Sequence, residues 1–217
     1  MSFEPHPVDP EILANLSPEI LLSAYAQGLF PMVEAGELYW FSPDPRGILP
    51  LDGRFHVPRR LKRTLRSGRF VCTIDSCFQR VIRLCRTEGT GRENGTWISP
   101  EMRSAYVRLH EMGFAHSFEA WSADAPRRGD PIGGLYGVAM GRAFFAESMF
   151  HTVTDAGKAA LVASVMHLRE CGFTLYDLQW VTPNLARYGA VEIPQQEYRQ
   201  MLAEAIADLL DPGEPEG

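Results

Sequence analysis

The sequence predicts an α+β fold in which helices flank a mixed β-sheet. The chain has 217 residues, of which 45% are hydrophobic and 22% charged, as is typical of a folded globular protein. From His116 onward, apolar and polar residues alternate with the two-residue period of strands, and helical patterns precede and follow this region. A helix inserted before the last predicted strand favours an α+β or mixed-sheet domain.

The N-terminal quarter has one helix signal followed by an irregular segment. Ser17-Pro18-Glu19 predicts a helix start with Ser17 as the N-cap, and Gly28 predicts the end of that helix. Short β-type runs then occur among Pro, Gly and aromatic residues. We therefore expect a small N-terminal lobe over residues 1–53, a main domain over residues 54–210 and a disordered tail over residues 211–217.

Turn and cap residues mark most elements of the main domain. Pro58 predicts a helix start, Ser99-Pro100-Glu101 repeats the first start signal, and Gly141-Arg142 predicts the turn of a hairpin. Thr154 or Asp155 is expected to cap a long helix that Gly172 closes. The remaining predicted elements are a strand over residues 69–74, a helix over residues 77–85, strands in AHSFEAW and FTLYDLQW, and a last helix over residues 195–210. No apolar run is long enough to span a bilayer, so no membrane association is expected.

Positive charge is concentrated in one segment of an acidic chain. The formal net charge is −6, yet residues 54–69 contain seven Arg or Lys side chains and no acid. In the predicted helix, Leu61 and Leu65 face the core and the basic residues face water. Such a surface is either a solvated face or a contact for a polyanion. The basic residues of this helix are Arg59, Arg60, Lys62, Arg63 and Arg66.

Three polar side chains interrupt apolar strands late in the chain. Glu147 lies in FFAESMF, and Asp177 and Gln179 lie in LYDLQW, where strand alternation predicts that they share a face. Burying such groups costs several kcal/mol unless they are hydrogen-bonded, so they form either a structural network or a site. Serine-hydrolase, zinc-protease and nucleotide-loop motifs are missing and the six histidines occur singly, so no metal site is expected.

A series of short segments then points to one family. They are LLSAYAQGLFPM, WFSPDPRGIL, GTWISPEM, AYVRLHEMGFAHSFEAW, GGLYGVAMG, FFAESMF, DLQ and YGAVEIP. In this order, from about Ser17 to Leu202, they resemble the leucyl/phenylalanyl-tRNA–protein transferase family.

The resemblance implies an aminoacyltransferase of the leucyltransferase type. Leu or Phe, and in a wider donor range Met, would move from charged tRNA to the α-amine of proteins that start with Arg or Lys. Such proteins would then enter N-terminal-residue-dependent degradation, the N-end rule, in the cytoplasm. The implied main domain is acetyltransferase-like (GNAT-type) but uses no acetyl-CoA and no other cofactor. The expected partners are aminoacyl-tRNA and the acceptor protein, and the chain is expected to be a monomer.

The resemblance also assigns roles to residues. The family's catalytic Asp and Gln match Asp177 and Gln179: Gln179 is expected to accept a hydrogen bond from the attacking amine, and Asp177 to orient that amine or draw off its positive charge. Glu147 is the expected partner of a cationic acceptor residue. The basic helix is expected to bind the phosphates of the tRNA acceptor stem. Residues expected to bind the aminoacyl group or the terminal adenosine, with core packing as the alternative, are Trp40, Trp121, Phe144, Phe145, Met149, Leu161 and Val165.

The chain departs from the family pattern next to the predicted site. Asn184, Arg187 and Tyr188 stand where the family commonly has His, Ser and Leu, so altered acceptor specificity stays open. A CoA-dependent N-acetyltransferase is a second alternative, but it would need a Gly-rich loop where HTVTDAG stands. A non-catalytic tRNA-binding protein would be expected to have lost Asp177, Gln179 or Glu147, and all three are present.

Overall fold

The structure is a computed structural model that describes residues 16–34, 36–89 and 96–210. Its helices are α1 (Pro18–Ala26), α2 (Arg59–Arg66), α3 (Phe78–Glu88), α4 (Pro100–Glu111), α5 (Ala156–Glu170), α6 (Pro183–Ala186) and α7 (Gln195–Leu210). Its strands are β1 (Phe30–Glu34), β2 (Glu37–Phe41), β3 (Arg46–Ile48), β4 (Phe70–Ile74), β5 (Ala115–Ser122), β6 (Gly133–Met140), β7 (Ala143–His151), β8 (Leu175–Gln179) and β9 (Val191–Ile193). The predicted disordered tail lies outside the described residues.

A seven-stranded mixed sheet organises the chain, in the order β4-β5-β6-β7-β8-β3-β9. Strands β7 and β8 are parallel, and the other neighbours are antiparallel. Helix α5 makes the crossover that a parallel pair requires. The predicted α+β fold with a mixed sheet is confirmed, and no helix of the described residues is long and apolar enough to cross a membrane.

Helices cover both faces of this sheet. Helices α1, α3, α4 and α7 pack on one face in a core that includes Tyr25, Tyr106 and Tyr198. Helices α2 and α5 pack on the other face in a core that includes Leu61 and Leu161. The central strands of the sheet are therefore buried on both sides, whereas the edge strand β4 is largely exposed.

Most helix ends agree with the sequence signals. The Ser17 hydroxyl accepts a hydrogen bond from the Ile20 N–H, and the Ser99 hydroxyl accepts one from the Met102 N–H. Asp155 occupies the N-cap position of α5, but it has a left-handed backbone (φ 71°) and makes no capping hydrogen bond. Its carboxylate accepts instead from Lys158 at 2.8 Å.

Strand β3 differs from expectation in its partners. The sequence analysis placed its residues in the N-terminal lobe, whereas β3 lies between β8 and β9 in the large sheet. A three-residue strand has no local signal that identifies distant partners, so its placement depends on non-local packing. Strands β1 and β2 form a separate hairpin, and the boundary at residue 53 stays a prediction.

Candidate active site

A gap between β7 and β8 is the starting point of the candidate site. The parallel pairing of these strands ends where Phe145 lies opposite Asp177. Glu147 and Gln179 come two residues after this pair, one on each strand. The sheet therefore opens between two of the three polar residues that the sequence singled out.

A β-bulge places Glu147 beside this gap. In the pairing of β6 with β7, Tyr136 lies opposite Ser148 and Gly137 lies opposite Ala146, which leaves Glu147 as the extra residue. Bulges bend a strand and re-aim a side chain. Glu147 is half-buried as a result, although it stands in an apolar strand.

Two tyrosines hold the Glu147 carboxylate. The Tyr25 hydroxyl donates to Oε1 at 2.8 Å and the Tyr106 hydroxyl donates to Oε2 at 3.0 Å, while the two hydroxyls are 2.5 Å apart. Burial raises the pKa of Glu147 to about 7, against the opposing effect of the two tyrosine hydrogen bonds. Glu147 thus exchanges its proton near neutral pH, which is common at functional sites. Neither tyrosine was predicted from the sequence to belong to the site.

An unusual backbone conformation sets the direction of Gln179. Its φ of 62° is left-handed, which costs a non-glycine residue about 1–3 kcal/mol. Gly47 on β3 permits this turn, because a Cβ there would lie 2.6 Å from the Trp180 carbonyl carbon. The Gln179 Nε2 donates to Glu147 Oε1 at a long 3.5 Å, so its carbonyl oxygen is left for another partner.

The left-handed turn also separates Gln179 from Asp177. Strand alternation predicted a shared face, but Gln179 lines a pocket together with Tyr176 and Leu178, and Asp177 does not. The alternation rule fails here because it assumes extended backbone at every residue.

Asp177 is fully enclosed by fixed partners. Oδ1 accepts from Arg46 Nε and from the Gln179 N–H, both at 2.9 Å. Oδ2 accepts from Arg46 Nη2 at 2.6 Å and from the Tyr198 hydroxyl at 2.7 Å. With no exposed surface, Asp177 has no room for an acceptor amine beside its carboxylate. Its predicted role, to orient that amine or draw off its positive charge, stays a prediction and would have to be indirect. Its bond to the Gln179 N–H holds the backbone of that residue.

Arg46 is a partner of Asp177 that was not predicted from the sequence. Its guanidinium is fully buried, pairs with Asp177 and donates to the Gly28 carbonyl at 2.9 Å. Its charge also lies 4.4 Å from the ring centroid of Tyr198. The available signal was an Arg next to the apolar run Gly-Ile-Leu, which on its own does not identify a distant carboxylate as the partner.

The pocket beside Glu147 and Gln179 has a volume of about 140 Å³. Met149 and Leu161 line it, as predicted, and Leu135, Leu178 and Leu185 complete an apolar wall. Phe144, Phe145 and Val165 have no exposed surface and lie in the two cores, so their predicted place in the pocket is wrong. Because the resemblance predicts that an aminoacyl group binds beside Met149 and Leu161, we call this space the aminoacyl pocket below.

Comparison with known proteins decides the family. Models of the leucyl/phenylalanyl-tRNA protein transferase and of its N-terminal domain match residues 48–203 and 14–44. The chain belongs to this family. The transferase of that name from Akkermansia muciniphila is 48% identical over 196 residues, which cover 89% of this chain and 98% of the relative. The one from Herpetosiphon aurantiacus is 47% identical over 192 residues, covering 88% and 95%.

Solved structures include a more distant likeness. A GCN5-related glucosamine N-acetyltransferase region of a fungal multi-domain β-N-acetylglucosaminidase aligns with a TM-score of 0.48 and 13% identity, over 80% of this chain and 21% of that chain. Membership of the leucyl/phenylalanyl-tRNA–protein transferase family makes the chain an aminoacyltransferase with aminoacyl-tRNA as substrate.

The tryptophans take different places in this family member. Trp121 is buried and donates its indole N–H to Thr73 at 2.8 Å, so its predicted stacking on adenosine is wrong. Trp40 is half-buried and lines a groove against α1 that includes neither Glu147 nor Gln179. Trp180, which the sequence analysis did not select, is 43% exposed directly after Gln179. Its ring packs edge-on against Phe30 at 5.0 Å between centroids.

The basic side chains of helix α2 face water, as the sequence predicted. Leu61 is buried, and the five basic side chains are exposed. They line an open depression of about 690 Å³ that contains no acidic residue. These five are Arg59, Arg60, Lys62, Arg63 and Arg66.

Proposed function

We propose that this transferase moves Leu or Phe to the α-amine of proteins that begin with Arg or Lys, and thereby marks them for N-terminal-residue-dependent degradation in the cytoplasm, where charged tRNA is available. The observation that carries the acceptor choice is Glu147, a carboxylate beside an opening in the sheet and at the mouth of the aminoacyl pocket. The monomeric state stays a prediction.

The acceptor side requires a negative charge and a hydrogen-bond acceptor. The Glu147 carboxylate provides the charge for an Arg or Lys side chain, in a setting where charge-assisted hydrogen bonds are strong. Gln179 directs its amide N–H to Glu147, which leaves its carbonyl oxygen for the α-amine. Asp177 contributes indirectly, because it fixes the backbone that aims Gln179.

The reaction needs positioning more than a strong base. An α-amine has a pKa of about 7.7–8.0, so roughly a tenth or more of it is neutral near pH 7. The neutral nitrogen attacks the ester carbonyl, the C–N bond forms, and the bond between the acyl carbon and the ribose oxygen breaks. The nitrogen loses one proton and the ribose oxygen gains one, so the exchange is balanced without a cofactor. Holding amine and ester in contact supplies most of the required effect.

The donor side requires an apolar pocket of limited size. An apolar cavity of about 150 Å³ accommodates benzene, and the aminoacyl pocket of about 140 Å³ is close to that size. A Leu or Phe side chain therefore suits it, whereas a charged side chain would lose its hydration there. The flexible Met149 side chain allows the wall to adapt to branched and aromatic groups.

Arg187 does not oppose a cationic acceptor in this arrangement. It lines a pocket that contains neither Glu147 nor Gln179. It therefore does not line the pocket whose residues are proposed to address the acceptor.

The test is a transfer assay with purified protein and tRNA charged with labelled Leu, Phe or Met. Peptides that begin with Arg, Lys, Asp or Glu and are otherwise identical serve as acceptors. We expect label on the Arg and Lys peptides only. Transfer restricted to Asp or Glu peptides would contradict the proposed acceptor class, and transfer to no peptide would contradict the function itself.

A further inference from the structure

A second pocket lies next to the aminoacyl pocket. It has a volume of about 140 Å³ and is enclosed by α2, the start of α5 and the turn that follows α6. We call it the cationic pocket. The lining residues that matter for its charge and position are Arg60, Asp155, Lys158, Asn184 and Arg187.

The charge of this pocket is positive. Arg60, Lys158 and Arg187 contribute three cations and Asp155 one anion, which leaves a net charge of +2. Asp155 is already paired with Lys158 at 2.8 Å. Within the described ranges, the guanidinium groups of Arg60 and Arg187 have no ion pair or hydrogen bond, so both are available to an anion.

Two elements connect the cationic pocket to the aminoacyl pocket. Helix α5 supplies Leu161 to the aminoacyl pocket and, less than one turn earlier, Lys158 to the cationic pocket. Helix α6 supplies Leu185 to the first and Asn184 to the second. Residues this close along a helix are neighbours within about one 5.4 Å turn, so the two pockets share a wall.

The basic depression on α2 adjoins the cationic pocket on the side away from the candidate active site. Arg60 lines both the cationic pocket and the basic depression on α2. Positive side chains therefore follow one another from the edge of the aminoacyl pocket to the outer face of the basic helix. A single-stranded polyanion that is anchored in the aminoacyl pocket would meet the cationic pocket before it reaches the outer face of α2.

We propose that the cationic pocket binds a phosphodiester of the single-stranded 3′ end of the donor tRNA, with Arg60 and Arg187 as its main ligands. This rests on the proposed function, because the aminoacyl group is taken to occupy the pocket of Met149 and Leu161.

An acidic group of the acceptor protein is the competing occupant, and the arrangement favours the donor. Glu147 and Gln179, which address the acceptor amine, line the aminoacyl pocket and not the cationic one. The α2 depression beyond the cationic pocket is lined by basic residues alone, and its five positive charges in series suit a repeated phosphate backbone.

The experiment compares Arg187→Ser with wild type on two donors. One is complete aminoacyl-tRNA, and the other is 3′-aminoacyl-adenosine, which carries no phosphate. The matched control is Arg86→Ser, which removes the same charge from α3 on the opposite face of the sheet, where Arg86 is exposed. Thermal unfolding of each variant monitors the fold.

We expect Arg187→Ser to raise the KM for aminoacyl-tRNA about tenfold at low salt, as for loss of one charge-assisted contact. The KM for the acceptor peptide and the use of aminoacyl-adenosine should stay unchanged. Direct binding of uncharged tRNA should weaken to a similar extent, and its logarithmic salt slope should fall by about 0.7. Arg86→Ser should match wild type throughout.

The binding measurement separates this proposal from the proposed function, because it needs no turnover. A changed KM for the acceptor peptide, an equal loss with both donors, or tRNA binding unaffected by Arg187→Ser would each overturn the proposed phosphate contact. A wild-type protein that binds tRNA but transfers no label would reject the proposed function alone.

Discussion

Glu119 and Glu147 are two carboxylates in the middle of apolar strands, in HSFEAW and FFAESMF. Glu119 has no exposed surface and accepts from the Thr73 and Ser117 hydroxyls, each at 2.6 Å. Glu147 also accepts from two hydroxyls, but it is half-buried and borders the gap in the sheet. Their sequence surroundings and their hydrogen bonds are therefore similar, and their access to a substrate is not.

Strand pairing explains the difference. Glu119 lies opposite Thr73 on one side and Gly134 on the other, within continuous antiparallel pairing. Glu147 is the extra residue of a bulge next to the point where β7 and β8 separate. A buried carboxylate in a strand thus indicates a site only where the pairing around it is interrupted.

Asp177 belongs with Glu119 in this comparison. It has four hydrogen bonds and no exposed surface, although the family resemblance places it at the catalytic centre. Its connection to the candidate site is the hydrogen bond that it accepts from the Gln179 N–H. Removing a partner of an enclosed carboxylate should therefore affect stability, whereas changing Glu147 should affect transfer.

The largest effect is expected from Arg46→Met. The change leaves the Asp177 carboxylate buried without its cation, which costs about 3–5 kcal/mol of unfolding free energy. Urea unfolding followed by circular dichroism measures it. The double variant Arg46→Met with Asp177→Asn should cost less than the sum of the single changes, and strict additivity would contradict the pairing.

Glu147→Gln tests the open carboxylate. Removing its charge should lower kcat/KM for an Arg-starting peptide by about 10–100-fold, the equivalent of about 1.5–3 kcal/mol for a charge-assisted contact. The amide loses one of the two tyrosine hydrogen bonds, but it also removes a buried charge that opposes folding, because burial raises the pKa of Glu147. The two effects oppose each other, so the net change in unfolding free energy should be smaller than for Glu119→Gln. A peptide that starts with norleucine serves as the control, and an equal loss on that peptide would argue against recognition of acceptor charge.

Glu119→Gln tests the enclosed carboxylate. Its amide group cannot accept at both oxygens, so the unfolding free energy should fall by about 1–3 kcal/mol. The value of kcat/KM, measured well below the unfolding transition, should equal that of wild type. A selective loss of transfer in a fully folded Glu119→Gln protein would remove the distinction drawn between the two carboxylates.

Local signals in the sequence predicted the secondary structure well. Ser17 and Ser99 mark helix starts through their side-chain caps, and the last helix spans residues 195–210 as expected. These features depend on neighbouring residues alone. The polar trio and the basic helix were identified from residue type and resemblance, and both Met149 and Leu161 lie in the aminoacyl pocket.

Features that depend on distant contacts were not predicted from the sequence. Arg46 lies more than 100 positions from its partner Asp177 in the sequence, and Tyr198 lies about 20 positions from it. No local pattern connects these residues. The left-handed conformation of Gln179 depends on the approach of β3, which Gly47 permits. Phe144 and Phe145 face opposite cores for a simpler reason, since neighbouring strand residues alternate.

The smallest expected effect is the pH dependence of kcat/KM, compared between wild type and the Glu147→Gln variant. The pKa of the Glu147 carboxyl is raised to about 7, mainly by burial, so the charged form that binds a cation is lost as pH falls through this value. The charged fraction drops about tenfold between pH 8 and pH 6. The ratio of wild-type to Glu147→Gln kcat/KM for an Arg-starting peptide should therefore fall by up to about tenfold over that range. Ionisation of the α-amine is common to both proteins and cancels in the ratio, so a ratio independent of pH would show that Glu147 does not supply the acceptor's counter-charge.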